Sequence, residues 1–192
     1  MKSNKKGFTL IELLIVVAII AILAAIAIPN FLAAQTRAKV SRAKGELQSL
    51  ATALESYFVD NNEYPWCVDP FVTAPQYVPN VITTPIAYLS SNSFLDPFRA
   101  PDTSTVYMRY RYMEVDSLYI KGSAAAEAYG SFYGKWRLSS SGPDRVFGPS
   151  GYLSYQGYSY NILFPYDPTN GTVSTGDIMR SQKNPNEDSS PR

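Results

Sequence analysis

The sequence predicts an α+β protein, in which a long N-terminal helix with a transmembrane first half packs on a small head that contains an antiparallel β-sheet. Three patterns support this fold class. Every residue from Leu13 to Ile28 is apolar. Apolar residues then recur at three- and four-residue spacings over residues 47–58, which is the period of a helix. Farther along, side chains alternate over residues 105–115, which is the period of a strand.

The composition excludes several classes of function. A chain of 192 residues suits one ordinary domain with an extension. Its formal net charge of +1 provides no basic footprint for nucleic acid. It contains no histidine and one cysteine, which excludes Ser-His-Asp and Cys-His catalysis, histidine or cysteine zinc sites and an intrachain disulfide. No glycine-rich phosphate loop is present either, so we expect the protein not to be an enzyme.

The apolar run has the length of a membrane-spanning helix. With Phe8, Leu10 and Ile11 it contains about 21 residues, which span roughly 30 Å as a helix. Three preceding lysines place the short N-terminal end in the cytoplasm: Lys2, Lys5 and Lys6. A cleaved signal peptide would have a shorter apolar core, and a buried core helix would show a polar face. A plain membrane anchor fits the length, but none of these alternatives explains the carboxylate of Glu12 within the run.

The segment "KKGFTLIELLIVVAIIAILAAIAIPNF" resembles the start of type IV pilins and type II secretion pseudopilins, from Lys5 to about Phe31. In that family a prepilin peptidase cuts after the glycine and methylates the new amino terminus. The resemblance therefore implies cleavage between Gly7 and Phe8, N-methylation of Phe8 and a role for Glu12 in assembly. A glycine at position 7 also lets the peptidase approach the backbone closely.

Elementary electrostatics agrees with that role for Glu12. After cleavage, the α-amino group of Phe8 is cationic near neutral pH. Phe8 and Glu12 lie one helical turn apart, about 6 Å along the axis. A second subunit displaced by about that distance brings its Phe8 amine to this carboxylate, and in a layer of low dielectric constant the pair is favoured over either charge alone. We therefore predict that Glu12 recruits subunits from the membrane into a filament.

The rest of the chain divides into a helix, a head and a tail. After a leader at residues 1–7, we expect one helix over residues 8–59, with residues 8–28 in the membrane or the filament core and a kink or local loosening at Pro29. Charged residues lie before and between the apolar positions of this helix. They are typical of a solvated face; alternatively, they contact lipid headgroups or neighbouring subunits. These residues are Arg37, Lys39, Arg42, Lys44 and Glu46. Residues 60–180 form the head, and residues 181–192 a flexible tail.

Three elements are predicted within the head. Thr83-Thr84-Pro85 precedes a short helix, because proline suits a first helical turn. The alternating segment 105–115 forms a half-buried strand with Tyr110 and Tyr112 on one face, and residues 134–144 form a second strand that runs into a turn. Asn170-Gly171 is a hairpin candidate in the turn-rich segment that follows.

Parts of the head resemble major pseudopilins, in interrupted matches that include Asp96-Pro97-Phe98 and Gly176-Asp177-Ile178. In pseudopilins a loop after an "SxGxD"-like segment binds calcium, and here that segment is "SSSGPDRVFGPSG". The resemblance nominates Ser141, Asp144 and Asp177 as oxygen ligands of calcium, the one cofactor it implies. The alternative is that Gly142-Pro143-Asp144 is only a turn.

These observations predict a structural subunit of the pseudopilus of a type II protein secretion system, polymerising through its N-terminal helix. The alternative is a type IV pilin or minor pilin for adhesion, motility or DNA uptake, and a third class is a processed, membrane-anchored binding protein that does not polymerise. The resemblance implies a single-pass inner-membrane protein with a periplasmic head. Its implied partners are further copies, minor pseudopilins, the prepilin peptidase, an inner-membrane assembly platform and membrane lipid, without nucleic acid.

Overall fold

The computed structural model describes residues 7–67, 77–91, 94–99, 108–118, 123–146, 150–155, 158–163, 165–167, 169, 174 and 176–184. Its elements follow one another as α1 (Leu10–Asn61), a 3-10 turn (Asn80–Ile82), β1 (Arg111–Glu114), α2 (Val115–Leu118), α3 (Ala124–Tyr133), β2 (Trp136–Ser140), β3 (Ser150–Tyr155), β4 (Tyr158–Leu163) and β5 (Ile178–Ser181). A long N-terminal helix with a small head that contains an antiparallel sheet confirms the predicted α+β class.

Helix α1 is 52 residues long and continues through Pro29, so the loosening expected there does not break it. Its length corresponds to about 78 Å. The helix begins and ends two residues later than predicted, because Thr9 caps its start and Asn62 ends it. Asn62 adopts the left-handed conformation, with φ 56°, and its N–H donates to the carbonyl of Phe58 at 2.8 Å. Asparagine tolerates this C-terminal geometry better than most residues do.

The second half of α1 packs on a three-stranded antiparallel sheet with the strand order β1-β2-β5. Strands β3 and β4 form a separate antiparallel pair. The main core lies between α1 and the sheet, where the helix contributes Val40, Ala43, Leu47, Leu50, Ala51 and Leu54 and the facing side of the head contributes Tyr110, Tyr112, Trp136, Leu138 and Ile178. Burial of this apolar face holds the head on the helix.

The alternation predicted for residues 105–115 holds at residues 109–112, but the strand itself is shorter than predicted: β1 comprises Arg111–Glu114, and Val115 begins α2. Tyr110 and Tyr112 are fully buried, whereas Arg109 and Arg111 are half-buried. The other face of β1 is not open to solvent, because Met113 packs with Val115 and with residues of α3 in a second, smaller core. Helix α3 was not predicted, although Ser123 is a recognisable N-cap whose hydroxyl accepts from the N–H of Ala126 at 3.2 Å.

The short helix predicted after Thr84-Pro85 is not formed. A 3-10 turn precedes this position instead, and the Thr84-Pro85 peptide is cis. Tertiary contacts override the local preference: the hydroxyl of Tyr88 donates to Asp60 at 2.8 Å, and its ring meets that of Tyr57 edge-on. The segment is thereby held against the end of α1.

Described contacts of the head continue beyond the boundary at residue 180 that the sequence suggested. Strand β5 ends at Ser181, and the N–H groups of Gln182 and Lys183 donate to the carbonyls of Trp136 and Tyr133, each at 3.2 Å. Three predictions lie wholly or mostly outside the described residues. They are the hairpin at Asn170-Gly171, the leader, of which residues 1–6 are not described, and the tail, of which residues 185–192 are not described.

Truncation of a core residue of α1 tests this packing. Leu50→Ala is expected to lower the free energy of unfolding by about 2–5 kcal/mol, because Leu50 is 1% exposed and its removal leaves a cavity beneath the sheet. Val59→Ala is the matched control on the same helix, since Val59 is 80% exposed, and it should change stability by less than about 0.5 kcal/mol. Denaturant unfolding of the detergent-solubilised chain, followed by near-UV circular dichroism, measures the unfolding free energy of both variants. An equal loss of unfolding free energy in the two variants would contradict the packing of Leu50.

Candidate assembly surface

The first half of α1 presents an apolar surface that the rest of the described chain does not cover. None of its most apolar 18-residue window is buried, and this is the one described helix that is long and apolar enough to cross a membrane, by length and composition. Large side chains are exposed along its whole length, among them Leu14, Ile20, Ile26 and Phe31. So large a continuous patch is unstable in water, and either lipid or other protein must cover it.

The sequence-predicted processing and assembly residues lie together at the start of this surface. Gly7 is exposed, and a Cβ built on it would meet nothing within 4 Å. Phe8 is 75% exposed, and Glu12 lies one turn into the helix on an exposed position. The Gly7–Phe8 peptide bond is therefore accessible in the described chain.

Glu12 has partners within its own chain, which the sequence analysis did not anticipate. Its Oε2 atom accepts from the Thr9 N–H at 2.9 Å and from the Thr9 hydroxyl at 2.7 Å, while Thr9 Oγ1 accepts from the Glu12 N–H at 3.3 Å. These reciprocal bonds form a capping box, and they hold the carboxylate near the positive end of the helix. The Thr-x-x-Glu spacing at residues 9–12 was the sequence signal for it.

Two glutamates on the second half of α1 join the helix to the head. Glu46 accepts from the hydroxyl of Tyr110 at 2.6 Å and from Arg42 Nε at 2.7 Å. Glu55 accepts from Trp136 Nε1 at 2.8 Å and from the hydroxyl of Tyr64 at 2.9 Å. A solvated face, lipid headgroups or neighbouring subunits were the predicted surroundings of Glu46. It lies instead at the edge of the interface within its own chain, where it satisfies a tyrosine hydroxyl that the core would otherwise bury without a partner.

Burial raises the pKa of both tyrosine hydroxyls above the ordinary tyrosine value. For Tyr110 the next cause is the hydrogen bond to Glu46, and for Tyr64 it is the bond to Glu55. In each case a carboxylate accepts from the neutral hydroxyl and disfavours its ionisation. Both groups therefore remain neutral donors across the physiological pH range.

One nominated calcium ligand, Ser141, donates hydrogen bonds to a buried acid that was not nominated. Asp96 accepts from the Ser140 hydroxyl at 2.8 Å and from the N–H and hydroxyl of Ser141 at 2.8 and 3.0 Å. It also accepts from the N–H of Phe98 at 3.0 Å. Aspartate side chains commonly accept from the backbone N–H two residues later, and this bond forms a turn. Asp96-Pro97-Phe98 carried that signal, and Asp96 ties the end of β2 to this turn.

Ser141 and Asp177 are brought close to each other, and both are buried. The turn after Ser141 packs tightly against the backbone just before β5, since a Cβ on Gly142 would collide with the carbonyl oxygen of Gly176. Asp144 is half-buried and accepts from the N–H of Val146 at 3.1 Å, as in a turn. Calcium requires six to eight oxygens, and the part of the chain that is described contains no group of three or more acidic, histidine or cysteine side chains suited to a metal. Calcium binding at Ser141, Asp144 and Asp177 stays a prediction.

Two family models match the chain. Residues 2–28 match the prokaryotic N-terminal methylation motif, and residues 30–127, just over half of the chain, match type II secretion system protein G. No solved structure matches the chain.

Curated relatives include both pilins and a secretion protein. The chain is 59% identical over 61 residues to the type IV major pilin protein PilA of Myxococcus xanthus, which covers 32% of this chain and 28% of that protein. It is 57% identical over 61 residues to the type IV wide pilus major component PilA4 of Thermus thermophilus, covering 32% and 47%, and 44% identical over 64 residues to the type II secretion system core protein G of Pseudomonas aeruginosa, covering 33% and 45%. The chain thus spans less than half of the length of these relatives, and none of the three is named as an enzyme.

Alkaline pH tests the neutral tyrosines at the joint between helix and head. Because the folded-state pKa values of Tyr110 and Tyr64 are raised, their contribution to stability is complete below about pH 10, the ordinary tyrosine pKa, and is lost as the pH rises beyond it. The loss for Tyr64 is the smaller of the two because solvent screens its hydroxyl, and for Tyr110, the more deeply buried, the loss is at most about 1.4 kcal/mol per pH unit. We expect Tyr110→Phe to make the fall in unfolding free energy between pH 10 and pH 11.5 shallower by about that amount.

Leu50→Ala is the control for this experiment, because it lowers stability while it retains every tyrosine. Its slope against pH should equal that of the unchanged protein. If the unfolding free energy of Tyr110→Phe falls with pH as steeply as that of the unchanged protein and of Leu50→Ala, Tyr110 is not a buried, neutral tyrosine.

Proposed function

Because the chain belongs to the type II secretion system protein G family, we propose that it is a structural subunit that polymerises through the apolar half of α1 into a pilin-like filament. One observation carries this proposal: a single continuous helix is buried by the head in its second half and uncovered in its first half. In the membrane, lipid covers the first half. In a filament, the same half of other copies replaces the lipid.

Processing prepares the subunit for this exchange. A prepilin peptidase cuts between Gly7 and Phe8 and methylates the amino group of Phe8. The match of residues 2–28 to the N-terminal methylation motif supports this step, and so do the exposure of Gly7 and Phe8 and the open space around Gly7. Cleavage places a cationic amine one turn before Glu12.

Glu12 receives the amine of a neighbouring copy. Both bonds from Thr9 use Oε2, so within the described chain Oε1 is left to accept from a neighbour. The capping box lowers the cost of holding the carboxylate in the membrane, and it fixes the carboxylate at the helix end that the incoming Phe8 amine approaches. Register then follows from this pair, because a displacement by one helical turn is needed to form it.

Between the two filament classes, the pseudopilus of a type II secretion system is the first choice. The match to the protein G family extends from the helix into the head and supports this choice, although the stretches shared with individual curated relatives cover about a third of the chain for the pilins and for protein G alike. The type IV pilin, for adhesion, motility or DNA uptake, remains the second candidate. In either case we propose an inner-membrane subunit with a periplasmic head, whose partners are further copies, minor pseudopilins, the peptidase and an assembly platform.

Replacing the carboxylate at position 12 tests the assembly mechanism. Glu12→Ala is expected to leave membrane insertion intact and to reduce the filament yield by at least about tenfold, because it removes the acceptor for the neighbour's amine. Sheared filaments and membrane-bound subunits are quantified separately by immunoblot. Gln35→Ala is the matched control, since Gln35 is a polar, exposed residue of the same helix, and it should assemble normally. Normal filaments from Glu12→Ala would remove the proposed role.

The location of the fibres distinguishes the two filament classes. Short periplasmic fibres that depend on secretion genes identify a pseudopilus, and long surface fibres that depend on retraction motors identify a type IV pilus. A processed protein that forms no fibre in either background would contradict both.

A further inference from the structure

A groove of about 590 Å³ lies at the end of α1 that is distant from the apolar half. Its lining includes Phe58, Glu63, Tyr64 and Trp66. The Phe58 and Tyr64 rings stack with their centroids 4.6 Å apart, and Trp66 beside them is 66% exposed. An exposed tryptophan at the rim of a groove provides an aromatic face to a partner, and tryptophan is the ring that cations prefer.

The charge of the groove is negative. Its acidic lining residues are Glu63, Glu114 and Asp116, and its one cation among the described lining is Lys135. The Lys135 Nζ atom lies 2.9 Å from Asp116, so those two charges offset each other. Glu63 is exposed at the rim. An aromatic surface with excess carboxylate fits a cationic side chain.

The same chain carries a cationic segment at residues 37–44. Its basic residues are Arg37, Lys39, Arg42 and Lys44. Arg42 is paired with Glu46 in its own chain, whereas Arg37 is exposed. Arg37 and Lys44 lie seven residues apart, which places them on the same side of the helix two turns from each other. That side is flanked by small residues such as Ala34 and Ser41, so a partner surface can approach the helix closely.

We propose that the groove of one copy receives the Arg37 side of α1 from a second copy. The guanidinium stacks on Trp66 and donates to the carboxylate of Glu63, an arrangement that suits its planar fork of donors. This inference rests on the proposed filament, and it adds a contact between heads and helices to the contact between apolar halves.

Geometry excludes the same contact within one copy. Arg37 and Phe58 are 21 residues apart on one continuous helix, about 32 Å along its axis, and neither can approach the other. The copy that fills the groove is therefore displaced by about 32 Å toward the head. The pairing of a Phe8 amine with Glu12 also requires displacement toward the head, by about 6 Å. Both contacts can therefore form in one filament, because both need copies displaced toward the head: a near copy for the amine–carboxylate pair and a more distant copy for the groove.

Cysteine crosslinking tests the contact directly. Arg37→Cys and Glu63→Cys are combined in a Cys67→Ser background, in which the serine hydroxyl replaces the thiol that donates to the Glu114 carbonyl. A bismaleimide with a spacer of about 8–10 Å is expected to give a ladder of covalent oligomers in filaments, because a contact between the ends of an arginine and a glutamate separates the two Cα atoms by more than a disulfide can bridge. Arg37→Cys with Val146→Cys is the control, because Val146 is 60% exposed but lies beyond the other end of β2, and it should give no ladder. Filaments without a ladder from the first pair would overturn the inference and leave the proposed function intact.

Charge reversal provides a second measurement in the native cysteine background. Arg37→Glu and Glu63→Arg are each expected to reduce filament yield about tenfold, and the double variant should recover to within about twofold. If Glu63→Arg lowers the filament yield and the double variant does not restore it, the groove binds a different protein. Loss in Arg37→Glu alone, with a lower amount of membrane-bound subunit, would assign Arg37 to lipid phosphate. Either result overturns the inference, and absence of filaments from the unchanged chain overturns both it and the proposed function.

Discussion

The continuity of α1 is the constraint on which the rest of the molecule depends. One helix passes through two different surroundings: the large apolar side chains before about Leu32 are exposed, whereas one face of the helix from Val40 to Leu54 is buried against the sheet. Because the helix continues through Pro29, the covered half and the uncovered half keep a fixed relation. Whatever covers the first half therefore also determines where the head is placed.

Apolar burial alone does not determine how the head is oriented on the helix, because the hydrophobic effect has no direction. The two glutamates supply that direction. Glu46 binds Tyr110 and Glu55 binds Trp136 and Tyr64, at distances between 2.6 and 2.9 Å. These bonds lie nine residues apart on α1, so they restrain both rotation and sliding of the head. The groove beside Trp66 consequently has a defined position relative to the cationic segment, which a contact between copies requires.

The state of Glu12 in the single chain changes the physical account of its role. The sequence suggested a carboxylate stranded in lipid and relieved only by a neighbour. In the structure Thr9 donates two hydrogen bonds to one of its oxygens, so the isolated chain already offsets part of the desolvation cost. In the proposed filament, the amine of a neighbouring copy would meet a carboxylate that Thr9 already orients, so geometry would contribute to the selectivity of assembly as much as the cost of an unpaired charge.

The sequence alone predicted the long helix, its apolar and amphipathic halves and two neighbouring strands of the sheet, because each depends on local periodicity, and a contiguous motif indicated a processing site. The buried faces of Tyr110 and Tyr112 followed from alternation in the same way. Only the tertiary structure decided that Glu46 and Glu55 join the head to the helix, that Asp96 accepts hydrogen bonds from the end of β2, and that the segment after Pro85 forms no helix. Those outcomes depend on partners distant in the sequence, such as Trp136 for Glu55 and Ser140 for Asp96. Local preference cannot identify such partners, since a carboxylate on a helix is equally compatible with solvent and with a buried donor until the fold brings that donor within hydrogen-bond distance.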